Sequence, residues 1–376
     1  MSAEESAAAS GPLSIVLCGG GITGAMYEFG ALHALDHLIS SPRRVTDFDI
    51  YVGTSAGAIV AALLANGVPP GEVGRAILRN SDGPLNFRQE DIVQLDWSDL
   101  RAALRRILGL LPRLVGLRRS PGGLSLARAM HAIEEALPAG VYTLDNYRAY
   151  LRRLLASPGC TDSFAGLRRE LFIPAVHLDT GDRVMFGGPA WRDVPISDAI
   201  AASSALPLYF RPVTLRGLDF VDGGVGQVVH LDQPLERGSR FIILINAVLP
   251  IRNEEGLVCI PTLSGHCARL REKGVSFVID QSQRISARHR LLLGIERVRH
   301  MHPDACVLLI EPPARDSVLF LENILNYGTR VAMLQYGYRS TAALLRARFD
   351  AFREAFTTAG LAVSLAGLRE DDPWGP

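Results

Sequence analysis

Asp49-Ile50-Tyr51-Val52-Gly53-Thr54-Ser55-Ala56-Gly57-Ala58-Ile59-Val60-Ala61-Ala62-Leu63-Leu64-Ala65-Asn66 carries a short β-rich run straight into an apolar helix through a Gly-x-Ser-x-Gly turn. A serine at such a strand-to-helix corner holds its hydroxyl out at the end of a sheet. Gly53 and Gly57 remove the Cβ atoms that would crowd the turn. With 36 glycines in 376 residues the pattern alone is weak. The preceding strand and the unbroken Ala/Leu/Ile segment up to Gly67 supply the context that makes it chemical. Ser55 is therefore read as a nucleophile.

Upstream, Leu13-Ser14-Ile15-Val16-Leu17-Cys18 reads as a buried strand that enters Gly19-Gly20-Gly21-Ile22-Thr23-Gly24, followed by a helical stretch to about Leu38. A glycine loop in this setting either cradles a pyrophosphate or presents N–H groups to an oxyanion. A dinucleotide fold would carry an acid at the far end of the second strand. Here Asp47 and Asp49 stand at that strand's start and its end carries the serine turn. The oxyanion reading uses both loops at once, because neighbouring parallel strands end side by side.

Composition bounds the rest. Hydrophobic residues are 48% and charged residues 21% of the chain, an ordinary globular balance, and Lys+Arg and Asp+Glu are equal at 39 each. The overall charge therefore gives no argument for a nucleic-acid partner. Met1 to Ser10 is small, polar and acidic, unlike a secretory signal, and residues 1–11 read as a disordered leader. No run reaches the roughly eighteen apolar residues of a membrane span. The expected location is the cytoplasm, with membrane contact at most peripheral. Cys18, Cys160, Cys259, Cys267 and Cys306 are odd in number, contain no Cys-x-x-Cys pair and fit buried thiols better than disulfides. Cys259, His266 and Cys267 match no trusted zinc spacing, so no metal is expected.

Residues from about 82 to 166 differ in character and read as a helical insertion, with helices over Trp97–Leu111, Leu124–Leu137 and Leu144–Ala156. Arg101 to Arg119 holds six arginines, no acid and interleaved leucines, with Pro112 expected to break or kink the helix. Such a segment can lie on an anionic membrane or close over a lipid chain, or simply present a solvated arginine face. Beyond it, Leu171–His177 resumes the sheet, with Arg183–Phe186 as a hairpin partner and a short helix over Pro195–Ser204. Leu218–Val221 is a strand ending in Asp222-Gly223-Gly224. An acid at the end of a strand, with two glycines clearing the approach, is a candidate general base. Phe241–Asn246 and Cys306–Ile310 suit strands buried on both faces. Gln281–Met301 and Phe320 to about Arg346 read as helices, and the tail from Ser364 reads as loose.

Three motifs in this order, together with the run Ala201-Ala202-Ser203-Ser204-Ala205-Leu206-Pro207-Leu208-Tyr209-Phe210, make the chain resemble the patatin-like phospholipase family from about Leu13 to Leu345. The resemblance implies a three-layer α/β/α sandwich with a mostly parallel sheet. It implies Ser55 as nucleophile and Asp222 as its partner in a Ser–Asp dyad. The loop of Gly19, Gly20, Gly21 and Gly24 would form the oxyanion hole, with Gly53, Gly57, Gly223 and Gly224 supporting the motifs. The catalytic domain would span 12–349, with 350–376 a helix end and loose tail. The implied activity is carboxylic ester hydrolysis of a phospholipid or lysophospholipid without a cofactor, with the basic stretch 101–119 as a peripheral membrane contact. Thr23 stands where the family usually has Arg or Lys. Two enzyme alternatives stay open: acyl transfer to an alcohol, and an α/β-hydrolase triad with its histidine among His230, His266, His289, His300 and His302. A lipid-binding protein without turnover is the remaining alternative.

Overall fold

The computed structural model describes residues 11–92, 94–117, 131, 134–227, 229–253, 260, 265–267, 269–316, 325–369 and 374, with residues 110–117 described as backbone only. The leader at 1–10 and most of the helix expected over Leu124–Leu137 lie outside them.

Eight strands form the main sheet. β1 (Leu13–Leu17) lies between β2 (Ile50–Gly53) and β10 (Phe241–Ile245), and β11 (Cys306–Ile310) extends the β10 side. On the other side β2 is followed by β5 (Glu170–His177), β9 (Leu218–Asp222) and β8 (Val213–Leu215), while β6 (Arg183–Phe186) pairs with β5. β11, β10, β1, β2 and β5 are parallel; β6, β8 and β9 run antiparallel to their neighbours.

The pleat divides the apolar runs between two cores. Leu13, Ile15, Leu17, Tyr51, Ile243 and Ile245 point to one face, and Val16, Cys18, Ile50, Val52, Ile242 and Leu244 to the other. The first face is covered by α1 (Gly21–Leu38), α2 (Ala56–Ala65), α3 (Pro70–Leu78) and, further along the chain, the long helix Arg330–Ala347. The second is covered chiefly by the helix Val275–Met301, through Ala287, Leu291, Ile295 and Val298. Burial on both faces is why these strands carry continuous apolar runs. The result is the three-layer α/β/α sandwich with a mostly parallel sheet.

Between α3 and β5 the chain forms α4 (Trp97–Leu117) and α5 (Asp145–Leu155), then α6 (Ile196–Ser203) follows β6. The helices Val275–Met301, Arg330–Ala347 and Phe349–Thr358 are α7, α8 and α9. α4 runs on through Pro112, so the expected break there is absent. The insertion is also not wholly helical. β3 (Gln94–Leu95) and β4 (Gly140–Thr143) join β7 (Leu208–Phe210) in a small second sheet, whose pairing depends on a strand outside the insertion. α4 exposes Trp97, Leu104, Ile107 and Leu108 beside Arg101, Arg105 and Arg106.

Two further expectations fail. The tail is not loose where it is described: Leu368 and Trp374 are buried, and the Trp374 indole stacks on His33 at 5.0 Å between ring centroids. Trp374 fills a space above Gly74, where any Cβ would collide with the indole. Cys267 is disulfide-bonded, while Cys18, Cys160 and Cys306 are free thiols. Five cysteines leave room for one or two bonds, and composition does not reveal which form. No helix among the described residues is long and apolar enough to cross a membrane.

Candidate active site

The ends of β1 and β2 and the loop after β9 converge on one crevice, where β1 has β2 on one side and β10 on the other. Ligands of open α/β sheets bind at such switch points, beyond the carboxyl ends of the strands.

Ser55 closes the turn between β2 and α2 with φ 55° and ψ −130°. A non-glycine residue in this region stores about 1–3 kcal/mol and persists only when its surroundings hold it. They do so through Ser203, whose buried Oγ accepts the Ser55 N–H at 2.9 Å. Gly53 cannot be larger: a Cβ there would lie 2.4 Å from the Gly57 carbonyl oxygen. On the β1 side, Gly19, Gly20 and Gly21 all have positive φ, at 73°, 115° and 68°. This left-handed run turns the chain into α1 within three residues.

The glycine loop departs from expectation in a specific way. The Gly19 N–H donates to Glu28 Oε1 at 2.7 Å, and the Gly24 N–H donates to the Gly20 carbonyl at 3.1 Å inside α1. Neither is open to a ligand. The N–H groups of Gly20 and Gly21, and that of Ala56 after the serine, have no acceptor among the described residues. Gly20 caps α1 and Ser55 caps α2, so the positive ends of two helix dipoles meet at the same point. Thr23 is buried in α1, with its hydroxyl 3.3 Å from the Gly20 carbonyl.

Asp222 reaches this point from the opposite direction. β9 is antiparallel to β5, with Asp222 paired to Ala175, while β2 pairs β5 only as far as Val52 with Phe172. β5 thus overshoots β2, and β9 runs back down the overshoot to end beside the serine turn. Asp222 Oδ1 accepts the Gly224 N–H at 2.8 Å, while the buried Oδ2 has no partner of normal hydrogen-bond geometry. Burial pushes the Asp222 carboxyl up to about 6, against the opposing pull of the Ser55 side chain and the Gly224 N–H. The C-terminal end of α6 braces both halves: the Asp222 N–H donates to the Ala205 carbonyl at 3.0 Å, and the Gly223 N–H to the Ser203 carbonyl at 3.4 Å.

Two cavities open on either side of Ser55. The first, about 90 Å³, is apolar; it is lined by Gly21, Ser55 and Ala56 at one end and by residues such as Ile22, Leu63, Ile77 and Phe87 elsewhere. The second, about 250 Å³, contains Gly20, Gly21, Ser55, Asp222 and Gly224 and is walled by one face of α7. Among the described residues, no histidine lines either cavity. His230 is fully buried with its Nδ1 3.1 Å from the Arg183 guanidinium, and burial and that cation hold the imidazole neutral. His266, His289 and His300 are exposed. No cluster of three or more potential metal ligands occurs among the described residues.

Two site residues escaped the sequence reading. Ser203 was visible only as part of a small-residue run. Glu28 had a signal: it is the sole acid in α1 before Asp36, and the stretch 21–32 holds no other charged residue. It is fully buried, Oε2 has no partner among the described residues, and burial pushes its carboxyl up to about 8 against the pull of the Gly19 N–H.

Residues 15–234 match the family model described as patatin-like phospholipase, more than half of the chain. The chain is 28% identical over 223 residues to the cGAMP-activated phospholipase of Escherichia coli (strain TW11681), covering 56% of this chain and 51% of that protein. It is 25% identical over 246 residues to the uncharacterized protein YjjU of Escherichia coli (strain K12), covering 63% and 52%. It thus spans about half the length of the curated relatives it matches. Among solved structures, VipD from Legionella pneumophila aligns with a TM-score of 0.37 at 13% identity, over 89% of this chain and 67% of VipD. ExoU from Pseudomonas aeruginosa, in complex with SpcU, aligns at 0.31 and 20% identity, over 97% of this chain and 67% of that one. The family match falls on the segment that carries the glycine loop, the serine turn and Asp222, and the chain belongs to the patatin-like phospholipase family.

Proposed function

We propose that this protein hydrolyses carboxylic esters of lipids through a Ser55–Asp222 dyad. The observation that carries the reading is the convergence of a strained serine, a buried carboxyl raised to about 6 and three backbone N–H groups without acceptors among the described residues. Ser55 Oγ attacks the ester carbonyl as its proton passes to Asp222, which is ionised above about pH 6. The oxyanion is held by the N–H groups of Gly20, Gly21 and Ala56 and by two helix N-termini. These donors are fixed in advance and need no reorganisation as charge develops. Protonated Asp222 returns its proton to the leaving alcohol. Water, activated by the same carboxylate, then frees the fatty acid and regenerates Ser55. Gly19 and Gly24 shape the loop; Glu28, through Gly19, anchors it.

The apolar cavity is the natural receptacle for the acyl chain, since its lining offers dispersion contact and almost no hydrogen bonding. Contact with a membrane through α4 is supported by Trp97, Leu104, Ile107 and Leu108, exposed beside three arginines on one helix. Residues 12–349 would be the catalytic unit. The test is fatty-acid release from anionic phospholipid vesicles and from a soluble short-chain ester by wild type and Ser55→Ala. Release by wild type alone is expected. Equal release by Ser55→Ala, or labelling of a different residue by a serine-reactive phosphonate, would refute the dyad.

A further inference from the structure

The second cavity beside Ser55 is completed by α7, which begins 41 residues beyond the end of the family match at 234. Asp280, Gln283, Arg284, Ser286, Ala287 and Arg290 line it. Their spacing of mostly three and four residues sets them along one face of the helix, so one rigid element supplies the wall.

The chemistry of this wall is directional. Arg284 is buried and tied down: its Nε donates to Asp280 Oδ2 at 2.7 Å, and NH1 donates to the Leu249 carbonyl at 3.3 Å. Asp280 and Arg284 cancel one another's charge. Arg290 makes no ion pair or hydrogen bond with the described residues, and neither do the side chains of Gln283 and Ser286. The face therefore offers one uncompensated cation and two unengaged polar groups to the space above the catalytic pair. Opposite them stand Asp222, the glycine loop and the apolar side chains of Leu206, Pro207, Val225 and Val248.

We infer that this cavity is a subsite for the phosphate of the substrate's alcohol portion, with Arg290 as the charge-recognising residue and Gln283 and Ser286 as hydrogen-bonding neighbours. The inference rests on the hydrolase reading and deepens it. An ester bound with its carbonyl at Ser55 and its acyl chain in the apolar cavity must send its alcohol portion elsewhere, and the α7 cavity shares Gly21, Ser55 and Leu206 with the apolar one. A guanidinium suits phosphate, because its fork of N–H donors can engage two phosphate oxygens at once. The exposed position of Arg290 leaves its desolvation cost small.

The experiment compares a short-chain monoacylglycerol 3-phosphate with the corresponding monoacylglycerol, using wild type, Arg290→Gln, Arg290→Lys and Ser55→Ala. Wild type is expected to prefer the phosphate-bearing ester in kcat/KM. Arg290→Gln should reduce that preference about tenfold or more, mainly through KM, the scale of one hydrogen bond to a charged group. Arg290→Lys should restore part of it. An unchanged preference in Arg290→Gln, or a wild-type preference for the neutral ester, overturns the subsite. Turnover retained in Ser55→Ala overturns the dyad instead. Glycerol 3-phosphate gives a readout free of turnover: it should raise the melting temperature of wild type and Ser55→Ala, and not that of Arg290→Gln. No rise in wild type, or the same rise in Arg290→Gln, overturns the subsite whatever the catalytic result.

Discussion

Replacing Glu28 by Gln should make the protein more stable at alkaline pH and leave it nearly unchanged at acid pH. Glu28 is fully buried, accepts the Gly19 N–H at 2.7 Å through Oε1, and has its carboxyl raised from 4.5 to about 8 by burial. In the unfolded chain the proton leaves near 4.5; in the folded protein it stays until about 8. Across that window the folded state binds one more proton, so stability falls as pH rises, by up to about 1.4 kcal/mol per pH unit. Over the whole window the loss is on the order of 5 kcal/mol, comparable with the total stability of many domains. The amide of the Glu28→Gln variant keeps a carbonyl for Gly19, has nearly the shape of the protonated acid and never ionises. Urea unfolding of both proteins at several pH values from 5 to 9 would measure this, reading the difference in midpoint at constant m. Near pH 5 the two curves should lie within about 1 kcal/mol of each other, and by pH 8.5 the variant should lead by several. Asp222 contributes the same sign of slope between its ordinary 3.8 and about 6, but it is common to both proteins and cancels. Parallel stability curves, or a variant less stable throughout, would refute the account of Glu28 as a buried neutral acid.

Asp222→Asn should lower kcat by at least about 10²-fold, the scale of general-base catalysis, and remove the acid limb of kcat/KM that wild type should show near pH 6; an intact limb in the variant would assign it to another group. Ser203→Ala deprives the strained Ser55 backbone of its acceptor and should cost about 1–3 kcal/mol in urea unfolding together with lost activity; no change in either would mean the elbow is held by other contacts. Ala25→Leu adds bulk to the apolar cavity. It should lower the ratio of long-chain to short-chain p-nitrophenyl ester hydrolysis, and an unaltered ratio would remove the acyl chain from that cavity.

What could be read in the sequence was what local chemistry enforces. β1 and β10 announce themselves as continuous apolar runs because both faces are buried, whereas β11, read the same way, is a half-buried strand at the sheet's edge. The serine turn and the glycine loop announce themselves because few residues other than glycine tolerate their backbone angles or close contacts. What could not be read was set by partners distant in the chain. Nothing near Gly19 says that its N–H is spent on Glu28, nine residues on. Likewise, the Ser-Ser pair at 203–204 does not reveal which hydroxyl supports Ser55. Gly140–Thr143 holds the β-forming Val141, Tyr142 and Thr143, but its partners Gln94–Leu95 and Leu208–Phe210 lie too far along the chain to be read from it. α7 was legible as a helix, but its cavity-lining face was not, because polar residues there look like any solvated surface.

The antiparallel course of β9 along β5 makes the distance between Ser55 and Asp222 a matter of sheet register. Side chains alternate with a period of two, so sliding β9 by one residue would turn the carboxylate to the opposite face without disturbing a single residue of the motif. The two groups lie 167 positions apart in sequence, and their meeting requires β2, β5, α6 and β9 all to be in their final pairing. A chain released early, or trapped with a shifted edge, would carry every signature residue and no working pair. If the proposed pair carries the chemistry, activity would report completed folding, and mutations along the β5–β9 seam away from Asp222 should silence it as surely as losing the serine.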